Sequence, residues 1–315
     1  MKNYHKSNPT IWAGRKSDRQ LYLHEKIQCI DLNHSFSIHQ ENTNFALLGY
    51  ACDEGVRRNQ GRIGTAKGPE AIRKMIAPLS NHFDNTIKIY DVGDITCPHG
   101  NLEETQKDTS KCVSTLLHQG LFPIVLGGGH DLAYAHYNGI KAYSPGQTIG
   151  IINLDAHFDL RTPASNGTSG TPFYQIAKEN GDINYLCLGI QKESNNRELF
   201  KTAETFNVTY LENHEFEKEN QTQVYDMVLN FIQKVDLIYL TIDIDGFTSS
   251  IAPGVSAPSP LGFSANIAFD TIKKICLSKK LVSVDLVEMN PTYDIDNCTA
   301  RLTARLVYHI INSLS

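Results

Sequence analysis

Long apolar runs are missing from these 315 residues. None comes near the roughly 20 residues that a helix needs to cross a bilayer, so no membrane span is expected. Positive charge is not in excess either: 29 Lys and Arg face 34 Asp and Glu, for a formal net charge of -5. That balance argues against a nucleic-acid binder, which needs a basic face to neutralise phosphates. Cysteines are few and odd in number, the seven being Cys29, Cys52, Cys97, Cys112, Cys187, Cys276 and Cys298. They form no Cys-x-x-Cys pair and mostly lie in or beside apolar runs, the pattern of reduced, buried thiols. The opening Met1-Lys2-Asn3-Tyr4-His5-Lys6 has basic residues but no apolar segment behind them, unlike a secretory signal. A cytoplasmic protein is expected. Neither Gly-x-Gly-x-x-Gly nor Gly-Lys-Ser/Thr occurs, which argues against nucleotide binding through such motifs.

What is present is the material of a globular α/β chain, with 41% hydrophobic and 20% charged residues. Residues 1–40 are polar and irregular around the single Trp12 and read as an arm that packs on the body or on a neighbouring subunit. From Phe45 a rhythm begins. Strand-like runs are predicted at Phe45–Tyr50, Ile87–Val92, Phe122–Leu126, Thr148–Leu154, Tyr185–Ile190, Val208–Leu211, Leu237–Ile242 and Val282–Val287. Helical segments alternate with them, opening at Gly68-Pro69-Glu70, where Pro suits a first turn, and closing with Thr299–Ile311. Alternation of this kind implies right-handed crossovers and a mainly parallel sheet covered on both faces, a three-layer α/β/α fold. With no repeat or long linker, residues 1–315 are expected to form one domain.

In such sheets ligands gather outside the carboxyl ends of the strands. Three loops there are unusual. Asn153-Leu-Asp-Ala-His-Phe-Asp-Leu-Arg161 follows the apolar Ile149–Ile152. Its Asp155, His157 and Asp159 alternate with Ala156 and Phe158, so in an extended chain all three point to one side. Gly127-Gly128-Gly129-His130-Asp131 follows Phe122–Leu126, and its glycines either cradle an anion or clear space for His130 to reach an ion. Leu240-Thr-Ile-Asp-Ile-Asp-Gly246 places Asp243 and Asp245 two apart. Each loop alone could be a solvated strand end. Together they bring four carboxylates and two imidazoles to strand ends, a costly assembly unless cations pair with it. Two divalent ions would neutralise it. An oxygen-rich set with imidazole and no thiolate favours Mn²⁺, with Fe²⁺, Co²⁺, Ni²⁺ and Zn²⁺ also compatible. Two neighbouring ions that share a water point to hydrolysis.

On these motifs, together with Ser283-Val-Asp-Leu-Val-Glu-Met-Asn-Pro291, the sequence resembles the ureohydrolase family of arginase, agmatinase and formimidoylglutamase from about Gly49 to Arg305. The resemblance implies an arginase-like fold with two Mn²⁺ per subunit, and trimers or hexamers as possible assemblies. It puts His130 and Asp159 on one ion and His157 and Asp245 on the other, with Asp155 and Asp243 shared. It also gives Glu288 a contact to the amidine or guanidinium of the substrate. The stretches Gly55–Gly64, Gly68–Arg73 and Ser169-Gly-Thr-Pro-Phe173 look like the formimidoylglutamase branch. Ser169 stands where arginases and agmatinases usually carry a His.

Arg161, two residues past Asp159, offers a fork of donors suited to a carboxylate. Its bland alternative is pairing with a structural acid. Arg57, Arg58 and Arg62 are further candidates for an acidic substrate. The expected activity is hydrolysis of N-formimino-L-glutamate to L-glutamate and formamide, a step of histidine breakdown as the resemblance implies. In it a metal-bridging hydroxide attacks the formimino carbon, Asp159 passes a proton to the leaving amine and Glu288 holds the amidine. The alternatives are a guanidino substrate that releases urea, as in agmatinase or guanidinobutyrase, and a metal-stabilised binding protein without turnover.

Overall fold

The structure is a computed structural model that describes residues 1–17, 19–34, 36–39 and 41–315. Its strands are β1 (Tyr4–His5), β2 (Gln28–Cys29), β3 (Thr43–Ala51), β4 (Ile87–Thr96), β5 (Phe122–Leu126), β6 (Ile149–Leu154), β7 (Asn184–Ile190), β8 (Thr209–Glu212), β9 (Leu237–Asp243) and β10 (Leu281–Val287). The α-helices are α1 (Leu23–Lys26), α2 (Glu54–Arg58), α3 (Gly68–Ile76), α4 (Leu102–His118), α5 (Leu132–Tyr143), α6 (Pro172–Asn180), α7 (Arg197–Thr205), α8 (Gln221–Gln233), α9 (Ala265–Cys276) and α10 (Cys298–Leu314).

Among the described residues, all ten strands join one sheet in the order β1-β4-β3-β5-β10-β9-β6-β7-β8, with β2 beside β4. Every pairing is parallel except β1 with β4. Alternation along the strands sends side chains to two separate cores. In β3, Phe45 and Leu47 join the layer of α3, α8, α9 and α10, while Ala46, Leu48 and Tyr50 join that of α4, α5, α6 and α7. The result is the expected three-layer α/β/α fold.

The chain leaves β5, passes over the places of β10 and β9 to enter β6, and after β8 reverses to fill those places with β9 and then β10. A reversal of this kind opens a crevice at the carboxyl ends of the strands. The loops after β5, β6, β9 and β10 all empty into it.

Four short elements, β1, β2, α1 and α2, were not expected from the sequence, because two to five residues hold no periodic signal. Within residues 1–40, β1 pairs with β4, and Trp12 Nε1 donates to Asp91 Oδ2 at 2.8 Å. Asp18, Ser35 and Gln40 of that arm lie outside the described residues. Strand β4 runs to Thr96 instead of stopping at Val92. Gly93 at φ +89° forms a bulge there, where the pairing jumps from Leu47–Asp91 to Gly49–Asp94. A Cβ on Gly93 would come within 2.1 Å of the His5 carbonyl, so the glycine both bends β4 and admits β1.

Candidate metal centre

Three glycines after β5 decide how His130 arrives. The chain threads between β3 and β10, where a Cβ on Gly127 would meet the Leu286 carbonyl at 2.3 Å and one on Gly128 would meet the Cys52 carbonyl at 2.0 Å. Gly127 N donates to Leu286 O at 2.7 Å and Gly129 N to Cys52 O at 3.0 Å. These glycines therefore clear space between backbones, and two of their N–H groups are already spent. Of the two sequence readings, the anion cradle is the one the packing removes.

His130 is 1% exposed, and its ring meets Phe173 edge-on at 5.3 Å between centroids. Its Nε2 lies 3.0 Å from Thr241 Oγ1, a contact that can fix the tautomer and free Nδ1 for an ion. Nδ1 stands 3.3 Å from Asp155 Oδ2, 3.0 Å from Asp159 Oδ2 and 3.1 Å from Asp243 Oδ2, yet makes a hydrogen bond to none. A second group shares Asp155: His157 Nδ1 is 3.4 Å from Asp155 Oδ1 and 3.4 Å from Asp245 Oδ1. The ligand-type atoms of His130, Asp155, Asp159 and Asp243 lie within 4.8 Å of one another, as do those of Asp155, His157 and Asp245. All six sequence candidates thus meet in two overlapping clusters. Asp155 alone belongs to both, whereas Asp243 falls in the first.

The local geometry differs from the extended chain that the spacing suggested. Strand β6 ends at Leu154, and Asp155 folds back to accept from His157 N at 2.7 Å. Asp159 sits in the left-handed region at φ +48°. Likewise Asp245 lies in a 3₁₀ turn, Ile244–Gly246, that Asp243 caps by accepting from Asp245 N at 2.8 Å. The carboxylates converge because turns bring them back, not because a strand presents them in a row.

Electrostatics fits a divalent ion. Burial, reinforced by the charges of Asp245 and Asp155, holds the Asp243 carboxyl well above its ordinary range, and burial also raises Asp159. Against burial, the surrounding carboxylates hold the His130 and His157 imidazoles well above 6.5. Asp155 moves the other way: burial opposes ionisation, but its contacts with His130 and His157 win and lower its pKa. Protons are thus shared where metal charge would serve better. His130 Nδ1 and Asp245 Oδ1 are buried without a hydrogen-bond partner, as atoms reserved for an ion would be.

Glu288 follows β10 with φ +64° and accepts from His130 N at 2.9 Å through Oε1, while Oε2 has no hydrogen-bond partner. Burial, then the Asp245 charge, push its pKa up to about 8. It lines a cleft of about 240 Å³ together with His157, Asp159, Asp243 and Asp245. Arg161 and Arg62 reach this cleft. Arg62 is held by the carbonyls of Ser256 at 2.9 Å and Val255 at 2.5 Å, with its guanidinium 3.9 Å from the Tyr293 ring centre. Arg57 and Arg58 do not line it. Arg57 pairs with Glu54 at 2.6 Å, and Arg58 pairs with Glu54 at 2.9 Å and Glu103 at 2.6 Å. Ser169 is at the cleft, its Oγ 3.2 Å from Asn59 Nδ2.

Sequence reasoning missed the residues that hold the ligands: Thr241 on His130, Phe173 against its ring, and Asn153, whose Nδ2 donates to Asp155 Oδ2 at 2.9 Å. Thr241 and Asn153 each lie two residues before a ligand-type aspartate on a strand, a spacing that could have drawn attention to them.

Residues 43–312 match the arginase family model. The chain is 40% identical over 307 residues to a formimidoylglutamase of Geobacillus thermodenitrificans, covering 96% of this chain and 94% of that protein. A formimidoylglutamase structure from Bacillus subtilis shares the fold with a TM-score of 0.84 at 23% identity, covering 96% of this chain and 94% of that one. A Trypanosoma cruzi formiminoglutamase crystallised with Mn²⁺ aligns with a TM-score of 0.79 at 28% identity over 88% of this chain and 95% of its own. The fold and the paired carboxylate–imidazole clusters define a metal-dependent hydrolase. Within that class, this chain belongs to the arginase family, on its formimidoylglutamase branch.

Proposed function

We propose that this protein hydrolyses N-formimino-L-glutamate to L-glutamate and formamide with two Mn²⁺ per chain. The observation that carries this reading is the polarity of the cleft. It is lined by a buried acid with an open oxygen, Glu288 Oε2, and by two arginines without an acid partner among the described residues, Arg62 and Arg161. A substrate with a cationic amidine head and an anionic body suits that layout, since Arg forks grip carboxylates and repel an amine tail.

His130, Asp155, Asp159 and Asp243 would hold one ion and Asp155, His157 and Asp245 the other. Bound there, two divalent ions supply acidification of a water at neutral pH and stabilisation of developing negative charge. The chain's own groups do the rest. Glu288 accepts from an amidine N–H and so orients the formimino carbon towards the clusters. Arg161 and Arg62 fix the two carboxylates. Asp159 takes the proton that water gives up as its oxygen bonds to that carbon, then returns it to the glutamate nitrogen as the C–N bond breaks. The water oxygen leaves as the carbonyl of formamide once its second proton has also passed to the released glutamate amine.

A panel of formimino-glutamate, arginine, agmatine and guanidinobutyrate, scored for formamide against urea, tests this. Formamide from the first alone is expected. Urea as the main product would replace the substrate by a guanidine, and no turnover of any of them with Mn²⁺ bound would favour a binding protein.

A further inference from the structure

Asn195 lies in the connection between β7 and α7, is 4% exposed and forms part of the cleft wall. A polar residue there invites a role in gripping substrate, but its amide is already committed. Nδ2 donates to Ala156 O at 2.8 Å and to Gln191 O at 2.7 Å, and Oδ1 accepts from Phe158 N at 3.0 Å. Both amide protons are used, so no donor remains for a ligand.

The two residues it grips in the metal loop are the spacers. Ala156 separates Asp155 from His157, and Phe158 separates His157 from Asp159. Sheet pairing guides the chain only up to this point: the β6–β7 register ends at Leu154 opposite Leu188, and Asp155 N makes one more bond to Leu188 O at 3.0 Å. Beyond it the loop has no strand neighbour. The Asn195 side chain stands in for one, donating to one spacer and accepting from the other as a facing peptide would. Gln191 N adds a bond to Ala156 O at 3.0 Å, and Tyr185 OH one to Phe158 O at 3.1 Å. The Phe158 ring is set edge-on to Phe200 and Tyr210, each at 5.1 Å. Asp159 follows directly at φ +48°, a conformation that a non-glycine residue keeps only when its surroundings hold it.

We infer that Asn195 is a positioning residue for the metal centre, clamping Ala156 and Phe158 so that Asp155, His157 and Asp159 keep the spacing that two ions require. The inference rests on the two-ion reading above. It assigns Asn195 to metal retention and not to substrate recognition. Asn195→Asp is the sharpest probe: it keeps the size and the acceptor for Phe158 N, but sets a carboxylate oxygen against the Ala156 and Gln191 carbonyls. Asn195→Ala removes all three bonds and serves as the second variant.

Mn²⁺ is titrated calorimetrically into the metal-free parent and both variants, alongside thermal unfolding of the metal-free forms and KM at saturating Mn²⁺. The parent is expected to bind two ions. Binding by Asn195→Asp should be about ten- to a hundredfold weaker, as for other residues that orient metal ligands. Its KM at saturating Mn²⁺ should stay near that of the parent, while its metal-free melting temperature should fall, since a buried carboxylate then faces two carbonyls. Unchanged Mn²⁺ affinity in both variants overturns the inference, whether or not their melting temperature or KM moves. A parent that binds no Mn²⁺ overturns the two-ion reading itself, and this inference with it.

Discussion

Asp159 and Glu288, the two residues assigned to proton transfer and amidine binding, both have left-handed backbones, at φ +48° and +64°. That region is sparsely populated by non-glycine residues, and strain of this sort collects where surrounding contacts over-determine a functional side chain. Asn tolerates the region as Asp does, so Asp159→Asn separates charge from conformation. It should leave the melting temperature of the metal-free protein near the parent's while lowering kcat by about a hundredfold or more. Arg161→Ala should raise KM for formimino-glutamate by about ten- to a hundredfold, the value of one lost charge-assisted contact, without changing Mn²⁺ content. An unchanged KM would remove Arg161 from the pocket. A third residue-scale outcome concerns thiols. The neighbouring Cys52 thiol lowers the Cys97 thiol against the pull of burial, while Cys112 is pushed up to about 12 by burial. Limited iodoacetamide labelling followed by peptide mass mapping should therefore find Cys97 modified well before Cys112.

Elements that carry the site were legible where the pattern was long. The apolar runs of β5, β6, β9 and β10 place the ligand loops at strand ends. Where a strand continues through residues that look like a turn, the pattern fails. In β4 the Val92-Gly93-Asp94 step reads as an ending, yet it is a bulge that Arg73 secures from α3. Arg73, 1% exposed, donates to Asp91 Oδ1 at 2.8 Å, Asp94 Oδ1 at 2.6 Å and Gly93 O at 2.9 Å. Ser7 and Trp12 of the N-terminal arm close on the same Asp91, at 2.5 Å and 2.8 Å. Asp91→Ala should thus leave a buried guanidinium half-paired and destabilise the protein by about 3–5 kcal/mol. Urea unfolding measures this, and a loss within error of zero would mean that the arm and bulge are held by packing alone.

For the molecule as a whole, the metal centre sets the pH response. Burial lifts Glu288 from an ordinary 4.5 to about 8 and Asp131 from 3.8 to about 7. Between those limits the folded, metal-free protein keeps protons that the unfolded chain releases, so its stability must fall as pH rises. His130 and His157, both raised, act in the same direction: the stability from their ion pairs is present at low pH and lost as pH climbs through their folded values. The melting temperature of the metal-free protein should therefore decline across this window. Saturating Mn²⁺ should flatten or reverse the decline, because the ions favour ionised carboxylates and neutral imidazoles. A metal-free melting temperature that rises with pH would contradict the charge assignment. Among the described residues no helix is long and apolar enough to cross a membrane.

By itself the sequence determined which chemistry is available and where along the chain it lies. Short apolar runs define strand ends through local alternation, and ligand-type residues just beyond them can be named without any knowledge of the fold. His130, Asp155, His157, Asp159, Asp243 and Asp245 were all readable in this way. Only the tertiary structure decided which arginines line the cleft and what holds its loops in place. Arg58 is withdrawn from the cleft by Glu103, 45 residues away, while Arg62 stays beside it because Ser256, 194 residues away, supplies a carbonyl. Asn195 reaches the metal loop across 37 residues. Long-range hydrogen bonds such as these leave no periodic trace in a sequence, since each needs only one donor and one acceptor brought together by the fold.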